Sequence, residues 1–377
     1  MAMGQAGAAF FQNFPASNAF ITDTATWKQL TQENIAPLPA AAYSGFGGTR
    51  VDIPLPDSGL AAWMRLVFIG TLDITAAATT TGLWPQGLIN TAALAVNGQT
   101  QLISCSGLDL RAHRNRLYRN PVEQVSSAPG TDSKMNPISG SAIAVGTYDI
   151  VLTFDIPIVH DMASLAGLLY LQTSQNDFGV SISPETFANL FSAGAGTLTG
   201  SFYPELTFFD IPEVQGSGNQ AGGPLLPAMP WLHALQTKET PQVGSGAVDT
   251  PLGKYPGQLL CLYNYVSNAT PGNMVNPATG FDGLQLQYGM NRAPRVWSGP
   301  AGQGILALLD ENQADYNGLI GPSYFVLDFE KDDPSRDVVY PIGLNGFQLV
   351  PYITAADSLG AGSKVHVVSE ILYAAGA

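Results

Sequence analysis

Arg111, Arg114, Arg116 and Arg119, with His113 among them, form the one concentration of positive charge in the chain. Four of its 15 Lys and Arg residues fall within nine positions. Guanidinium groups grip carboxylates and phosphates through paired, charge-assisted hydrogen bonds. Two readings stay open. The cluster is a docking patch for an acidic neighbouring subunit, lipid phosphates or packaged nucleic acid. Alternatively, it is a short helix, with Leu110, Leu117 and Tyr118 as apolar positions, whose arginines satisfy local carboxylates and carbonyls. The densest acidic stretch is Asp328, Glu330, Asp332, Asp333 and Asp337. Its oxygens could line a Ca²⁺ loop. With Lys331, Pro334 and Arg336 interleaved, it reads better as a solvated hairpin turn. Asp310, Asn312, Asp315 and Asn317 hint at a second loop, but the spacing to a bidentate Glu is missing.

Catalytic signatures are absent from the sequence. There is no G-x-S-x-G elbow and no phosphate-binding G-x-x-x-x-G-K-[ST] loop. His113, His160, His233 and His366 are scattered, with no paired metal-ligand spacing, and read as ordinary structural or surface histidines. Glu205 and Asp210 would suit a carboxylate-pair hydrolase, yet nothing in the sequence pairs them. Cys105 and Cys261 are too few for a disulfide framework or a zinc site, and are expected to be free, buried thiols of a reducing compartment. Asn268-Ala269-Thr270 matches a glycosylation sequon, but Pro271 follows and no signal peptide precedes it. No catalytic residue, metal ligand or cofactor is assigned.

Composition bounds the rest. The chain has 377 residues, 15 basic against 29 acidic, and a net charge of −14. That balance argues against sequence-independent binding of nucleic acid, which runs on neutralising phosphates. Charged residues make up 12% of the chain, where an ordinary soluble domain has about 25%. So much neutral surface suits burial against other subunits. With 41 Gly and 27 Pro, the pattern is one of many turns between short strands. Residues 1–14 carry no Lys or Arg, so no secretory signal is expected, and no apolar run is long enough to span a membrane.

The elements that must position these residues are mostly strands. Residues 1–40 read as an arm, with Phe10, Phe11 and Phe14 either anchoring on a membrane or neighbour or folding back. A short helix is expected at 24–30 with Thr24 as N-cap. Residues 64–69 read as a strand covered on both faces. Asn97-Gly98 between strand-like runs signals a hairpin. Residues 148–158 alternate with period two, burying Tyr148, Ile150, Leu152, Phe154, Ile156 and Ile158 against Asp149, Thr153 and Asp155. Ser183-Pro184-Glu185 is expected to open a helix bearing Phe187, Leu190 and Phe191. Residues 212–230 read as a Gly/Pro linker almost free of strand pattern. Strands resume at 259–266, 284–288, 305–309, 324–329, 347–353 and 365–372. Residues 150–155 (IVLTFD) resemble 325–330 (FVLDFE), and Leu165-Ala166-Gly167-Leu168 resembles Leu344-Asn345-Gly346-Phe347, at offsets of 175 and 179. Preserved order at a near-constant offset points to two β domains of similar topology, sandwiches or jelly rolls.

On these features the chain resembles the double jelly-roll major capsid proteins of tailless icosahedral viruses with an internal membrane. These are the tectivirus and corticovirus type, related in fold to adenovirus hexon. The carriers are the repeat, residues 148–158 with Leu165-Ala166-Gly167 after them, and their counterparts at 324–330, its acidic turn and Leu344-Asn345-Gly346. The linker and the stretch from Pro230-Trp231 to Gln242 also fit. The resemblance covers about residues 40–377 and has no residue-specific signature. It implies an all-β chain of two consecutive eight-stranded jelly rolls with short helices. The arm would be 1–40, the first roll 41–211, the linker 212–230 and the second roll 231–377. It implies a non-enzymatic shell protein of the virion, such as that of a bacteriophage, made in the host cytoplasm. Homotrimers of pseudo-hexagonal outline would tile the shell beside penton and minor capsid proteins. Peripheral contact with the internal membrane would come from the arm, and no sequence-specific nucleic acid would be bound. Phe10, Phe11, Phe14, Arg111, Arg114, Arg116 and Arg119 would make the inward or inter-block contacts. Two alternatives remain: a glycan- or receptor-binding viral spike, favoured by 14 Tyr and 5 Trp, and a double jelly-roll hydrolase.

Overall fold

The computed structural model describes residues 20–96, 100–118, 126–136, 138–171, 177–216, 222–228, 231–252, 257–268, 274–275, 280–287, 295–298, 307–308, 310–312, 323–330, 348–353 and 359–374. Alternating apolar residues build its strands. Along Gly146–Pro157, Ile150, Leu152, Phe154 and Ile156 are buried while Asp149 is exposed. Asp155 departs from the alternation: it is buried and paired with Arg65 and Arg114. Strand Leu60–Thr80 is not covered on both faces as expected. Arg65 and Ile69 point outward while Leu66 and Phe68 are buried.

Eight strands form the first roll: Glu33–Pro37 (continued by Ala41–Tyr43), Val51–Pro54, Leu60–Thr80, Ile89–Val96, Thr100–Cys105, Gly146–Pro157, Phe178–Pro184 and Phe191–Phe209. Numbered in chain order, they pair 1-8-3-6 in one sheet and 2-7-4-5 in the other. The second roll repeats this with Trp231–Pro241, Gly246–Ala247 (continued by Thr250–Pro251), Gly257–Ser267, Phe281–Gln287, Arg295–Ser298, Phe325–Asp328, Gln348–Ile353 and Lys364–Ala374. Again the orders are 1-8-3-6 and 2-7-4-5. The fold is a double jelly roll. Residues 150–155 and 325–330, matched in sequence, lie on or beside the sixth strand of their respective rolls.

One sheet belongs to both rolls. The fifth strand of the first roll runs parallel to the first strand of the second, with Ile103 opposite Leu235 and Ser104 opposite Gln236. Thr237 Oγ1 donates to the Ser104 carbonyl at 2.8 Å. The result is an eight-stranded sheet crossing the junction. The apolar core crosses too: Tyr263, Tyr265 and Val368 of the second roll pack in the same cluster as Phe68, Leu94 and Phe154 of the first. A second cluster, with Leu259, Leu286, Phe325 and Val367, fills the second roll alone.

Several boundaries differ from the sequence reading. Within the expected arm, Glu33–Pro37 pairs with Phe191–Phe209 as a roll strand. Helix Thr24–Leu30 is capped by Asp23, which accepts from the Thr26 amide, rather than by Thr24. The expected linker contains strands Glu213–Val214 and Gly223–Pro227, the latter parallel to Phe20–Thr22. Trp27, wholly buried, donates Nε1–H to the Leu225 carbonyl at 2.9 Å and so clasps that segment. Pro184 ends a strand, and the helix is Phe187–Leu190 with Thr186 as N-cap. Residues 307–308 are helical rather than strand. Asn97-Gly98 lies outside the described residues, but the strands on either side pair with Leu94 opposite Ile103. Both cysteines are free and buried. Among the described residues no helix is long and apolar enough to cross a membrane.

Gly167, from the repeated Leu-x-Gly motif, has φ +102°. A Cβ there would stand 2.7 Å from His233 Cβ and 3.0 Å from both the His233 amide nitrogen and the Ile158 carbonyl. Only glycine lets this loop lie against the first strand of the second roll. Gly167→Ala is expected to cost roughly 2 kcal/mol or more, lowering the melting temperature by several degrees. Gly140→Ala, at φ +81° with open space around it, should cost less when both are compared by thermal denaturation.

Candidate functional site

Helix Gly107–Tyr118 follows the fifth strand of the first roll and carries the polar centre of the molecule. Ser106 and Asp109 start it reciprocally: Ser106 donates N–H and O–H to Asp109 at 2.8 and 2.7 Å, and the Asp109 amide faces Ser106 Oγ at 3.3 Å. That is a capping-box arrangement with Asp in place of Glu. Asp109, His113 and Arg116 stand at i, i+4 and i+7, on one helix face. Opposite runs strand Lys364–Ala374, where His366, Val368 and Glu370 share a face by period two. The neighbouring odd-numbered Val365, Val367 and Ile371 face the second roll's own core.

Two buried clusters result. In the first, Glu370 is fully buried. Its Oε2 accepts from Arg116 Nη1 and the Tyr263 hydroxyl, both at 2.7 Å. Its Oε1 is approached by His160 Nδ1 at 2.9 Å, His113 Nε2 at 3.1 Å and His233 Nε2 at 3.2 Å. Arg116 also meets Glu330 at 2.5 Å and stands in ion-pair contact with Asp328 at 2.9 Å. His160 Nε2 reaches Glu330 at 3.1 Å, and His233 Nδ1 reaches the Pro157 carbonyl at 3.0 Å. Burial would raise the Glu370 pKa, but Arg116 and the histidines hold it well below the usual carboxylate range. Burial would lower His160, yet its bonds to Glu330 and Glu370 lift it to about 10. Burial pushes His113 down despite Glu370.

The second cluster sits one helical turn away. Asp109 accepts from the Tyr324 hydroxyl at 2.5 Å and faces His366 Nε2 at 3.0 Å. His366 Nδ1 faces Glu239 at 3.3 Å, and Lys364 binds Glu239 at 2.5 Å. Tyr265 stacks on the His366 ring, centroids 4.4 Å apart. Burial would lower His366, but Asp109 and Glu239 raise it to about 9. The His366 bond, ahead of Lys364, takes half-buried Glu239 down to about 2. A polar cleft of about 210 Å³ opens beside this cluster, lined by Glu185, Asn189, Glu239, Lys364 and His366.

Two readings were open for the arginines; Arg111, Arg114 and Arg116 are turned largely inward. Arg116 and Arg111 are 5% and 7% exposed. Arg111 donates to the Met135 and Lys134 carbonyls and, at 3.2 Å, to Asn136 Oδ1. Arg114 pairs with Asp155 at 3.0 Å. At these three positions the guanidinium groups bond carboxylates and carbonyls of the same chain. For Arg114 and Arg116 the reason is the acids they meet, buried Asp155 and Glu370 and partly buried Asp328 and Glu330, which need counter-charge. Arg119, Phe10, Phe11 and Phe14 lie outside the described residues. The acidic turn splits: Asp328 and Glu330 turn inward, and residues 331–347 are outside the described set. Asn312 is buried, bonding both the amide and the carbonyl of Val326. Asp210 bonds Asn34, and Glu205 is exposed. The histidines were legible only as scattered; the fold gathers three of the four on one carboxylate. With Glu370 shielded from solvent, the cluster is built to hold two rolls together rather than to meet a substrate.

No protein-family model and no curated protein matches the chain. Solved structures do match. The major capsid protein of Sulfolobus turreted icosahedral virus aligns with a TM-score of 0.65 at 18% identity, over 91% of this chain and 97% of that one. The capsid of the virus PBCV-1 aligns with a TM-score of 0.56 at 12% identity, over 91% and 93%. The major capsid protein of bacteriophage PM2 aligns with a TM-score of 0.50 at 11% identity, over 91% and 98%. At such identities the likeness shows the fold, a double jelly roll spanning both halves.

The His366 cluster makes stability depend on pH. A raised histidine pKa favours the folded state fully below the unfolded value of 6.5, and the benefit fades as pH rises through about 9. The lowered Glu239 favours folding above 4.5 and loses that benefit as pH falls toward about 2. Exposure of Glu239 makes its share the smaller. His366→Asn should therefore lower the melting temperature most between about pH 5 and 6.5, with the gap to the native chain narrowing by about pH 9.5. Thermal melts of both proteins across this range check it; a gap that widens at high pH would contradict the assignment.

Proposed function

We propose that the chain is a major capsid protein that builds the shell of an icosahedral virus. The observation that carries this reading is the end-to-end structural match. Both rolls, 91% of the chain, align with 97% of one viral major capsid protein and with comparable shares of two other capsid chains. The junction supports it. A tile must keep its two rolls in fixed relation, and here they share one sheet and a buried ion network. Composition supports it as well, since a surface with few charges suits contacts between neighbouring tiles. On the outward face of the first sheet, Ile35, Ile69 and Tyr203 are 66%, 49% and 47% exposed.

In this proposal three chains, each with two rolls, form a block of pseudo-hexagonal outline. Blocks tile the facets beside penton and minor capsid proteins, around an internal membrane. The protein is made in the host cytoplasm and resides in the virion. Phe10, Phe11, Phe14 and Arg119 make inward or inter-block contacts. The outer sheet face and the Gly/Pro-rich turns supply the remaining lateral surface.

Light scattering on the purified full chain tests the building block. The expected result is a stable species of three times the 39.7 kDa chain mass, with larger sheets or shells on concentration. A species that stays at 39.7 kDa when concentrated would overturn the proposal.

A further inference from the structure

We propose that His113 Nε2, His233 Nε2 and Glu370 Oε1 bind a divalent transition-metal ion of the zinc type between the two rolls. The three residues are buried, and their ligand atoms lie within 4.8 Å of one another. The nitrogens stand 3.1 and 3.2 Å from the carboxylate oxygen. Tetrahedral zinc with bonds of about 2.0–2.1 Å spaces its ligand atoms about 3.3 Å apart. The contacts therefore have the edge lengths of a metal polyhedron as well as those of hydrogen bonds.

The hydrogen-bond pattern favours the metal. The Pro157 carbonyl can only accept, so His233 Nδ1, 3.0 Å from it, carries the ring hydrogen. Its Nε2 is then the ring atom turned toward Glu370 Oε1. Anchoring of the far ring nitrogen to a carbonyl is the usual support of a metal-binding histidine. Acceptor capacity points the same way. An ionised carboxylate has about four lone-pair sites. Glu370 faces Arg116, Tyr263, His160, His113 and His233, one group too many.

Asp328, Glu330 and Glu370 all meet one guanidinium, Arg116. His160 bonds both Glu370 and Glu330 and does not share the mutual closeness of the three ligands. Two nitrogens and one carboxylate oxygen suit zinc, whereas calcium and magnesium prefer all-oxygen sets. The ion would tie the first roll's helix to two strands of the second.

The test uses the full chain, produced without a polyhistidine tag in zinc-supplemented medium, with metal counted by elemental mass spectrometry. One zinc per chain is expected, with a higher melting temperature in zinc than in chelator. His233→Gln should lose the zinc and the chelator sensitivity, while His366→Gln, outside the trio, should keep both. Cobalt in place of zinc should give the visible absorption of a tetrahedral site in the native chain. A native chain without metal, equally stable in zinc and chelator, would overturn the proposal. Native zinc content in His233→Gln would overturn it equally, by placing the metal elsewhere. The native-chain count needs no variant, so failure of a variant to fold does not shelter the claim. None of these readouts depends on trimer or shell formation.

Discussion

A carboxylate cut off from water must be neutralised, and Glu370 imposes that demand at the centre of the molecule. It stands on the last strand, Lys364–Ala374, in the middle of the sheet that joins the rolls. An unpaired charge there would cost far more than a domain's whole margin of stability. The partners come from both rolls: Arg116 and His113 from the helix after the first roll's fifth strand, His160 from beyond its sixth, and His233 and Tyr263 from the second roll. The demand can be met only when the rolls are docked. Removing one partner leaves the others buried without compensation, so the network specifies a single arrangement more than it adds net stability.

The covalent path and the sheet act in the same direction. The first roll's fifth strand leads directly into the helix that reaches Glu370, and the same strand runs beside the second roll's first strand. Strand pairing, the apolar core around Tyr263 and Val368, and the ion network thus fix one interface three ways. Residues 20–30 and 222–228, clasped through Trp27, pack on the first roll with Leu60, Trp63 and Phe209. A rigid pair of rolls suits the proposed tile, because error in their relative angle would accumulate across a facet, and the low charge of the remaining surface suits the proposed lateral contacts.

Much of this was legible in the sequence, and the limits are physical. Burial of Ile150, Leu152, Phe154 and Ile156 was legible because strand faces follow alternation, and burial of Asp155 was not, because it depends on the tertiary ion pairs with Arg65 and Arg114. Residues 64–69 were misjudged although Arg65 interrupts the run; one charge among apolar neighbours marks an outward face. Strands Glu33–Pro37 and Gly223–Pro227 were hidden because they are short and are held by pairing partners rather than by their own pattern. The junction was hidden for a deeper reason. Asp109, His113 and Arg116 at i, i+4 and i+7, and His366 and Glu370 four apart on a strand, were each visible as polar faces. Seven helical residues rise about 10 Å and four strand residues about 13 Å, so the faces match in length. Only the docking of the rolls says that they meet. The two readings of the arginines could not be separated in the sequence because the carboxylate partners of Arg116 lie more than 200 residues away.

Scanning calorimetry of the full chain tests the central claim that two rolls share one structural fate. If the spanning sheet and the Glu370 network weld them, the chain unfolds in a single transition whose calorimetric and van't Hoff enthalpies agree. Two resolved transitions, one for each roll, would contradict the account and reduce the junction to a contact between independent domains.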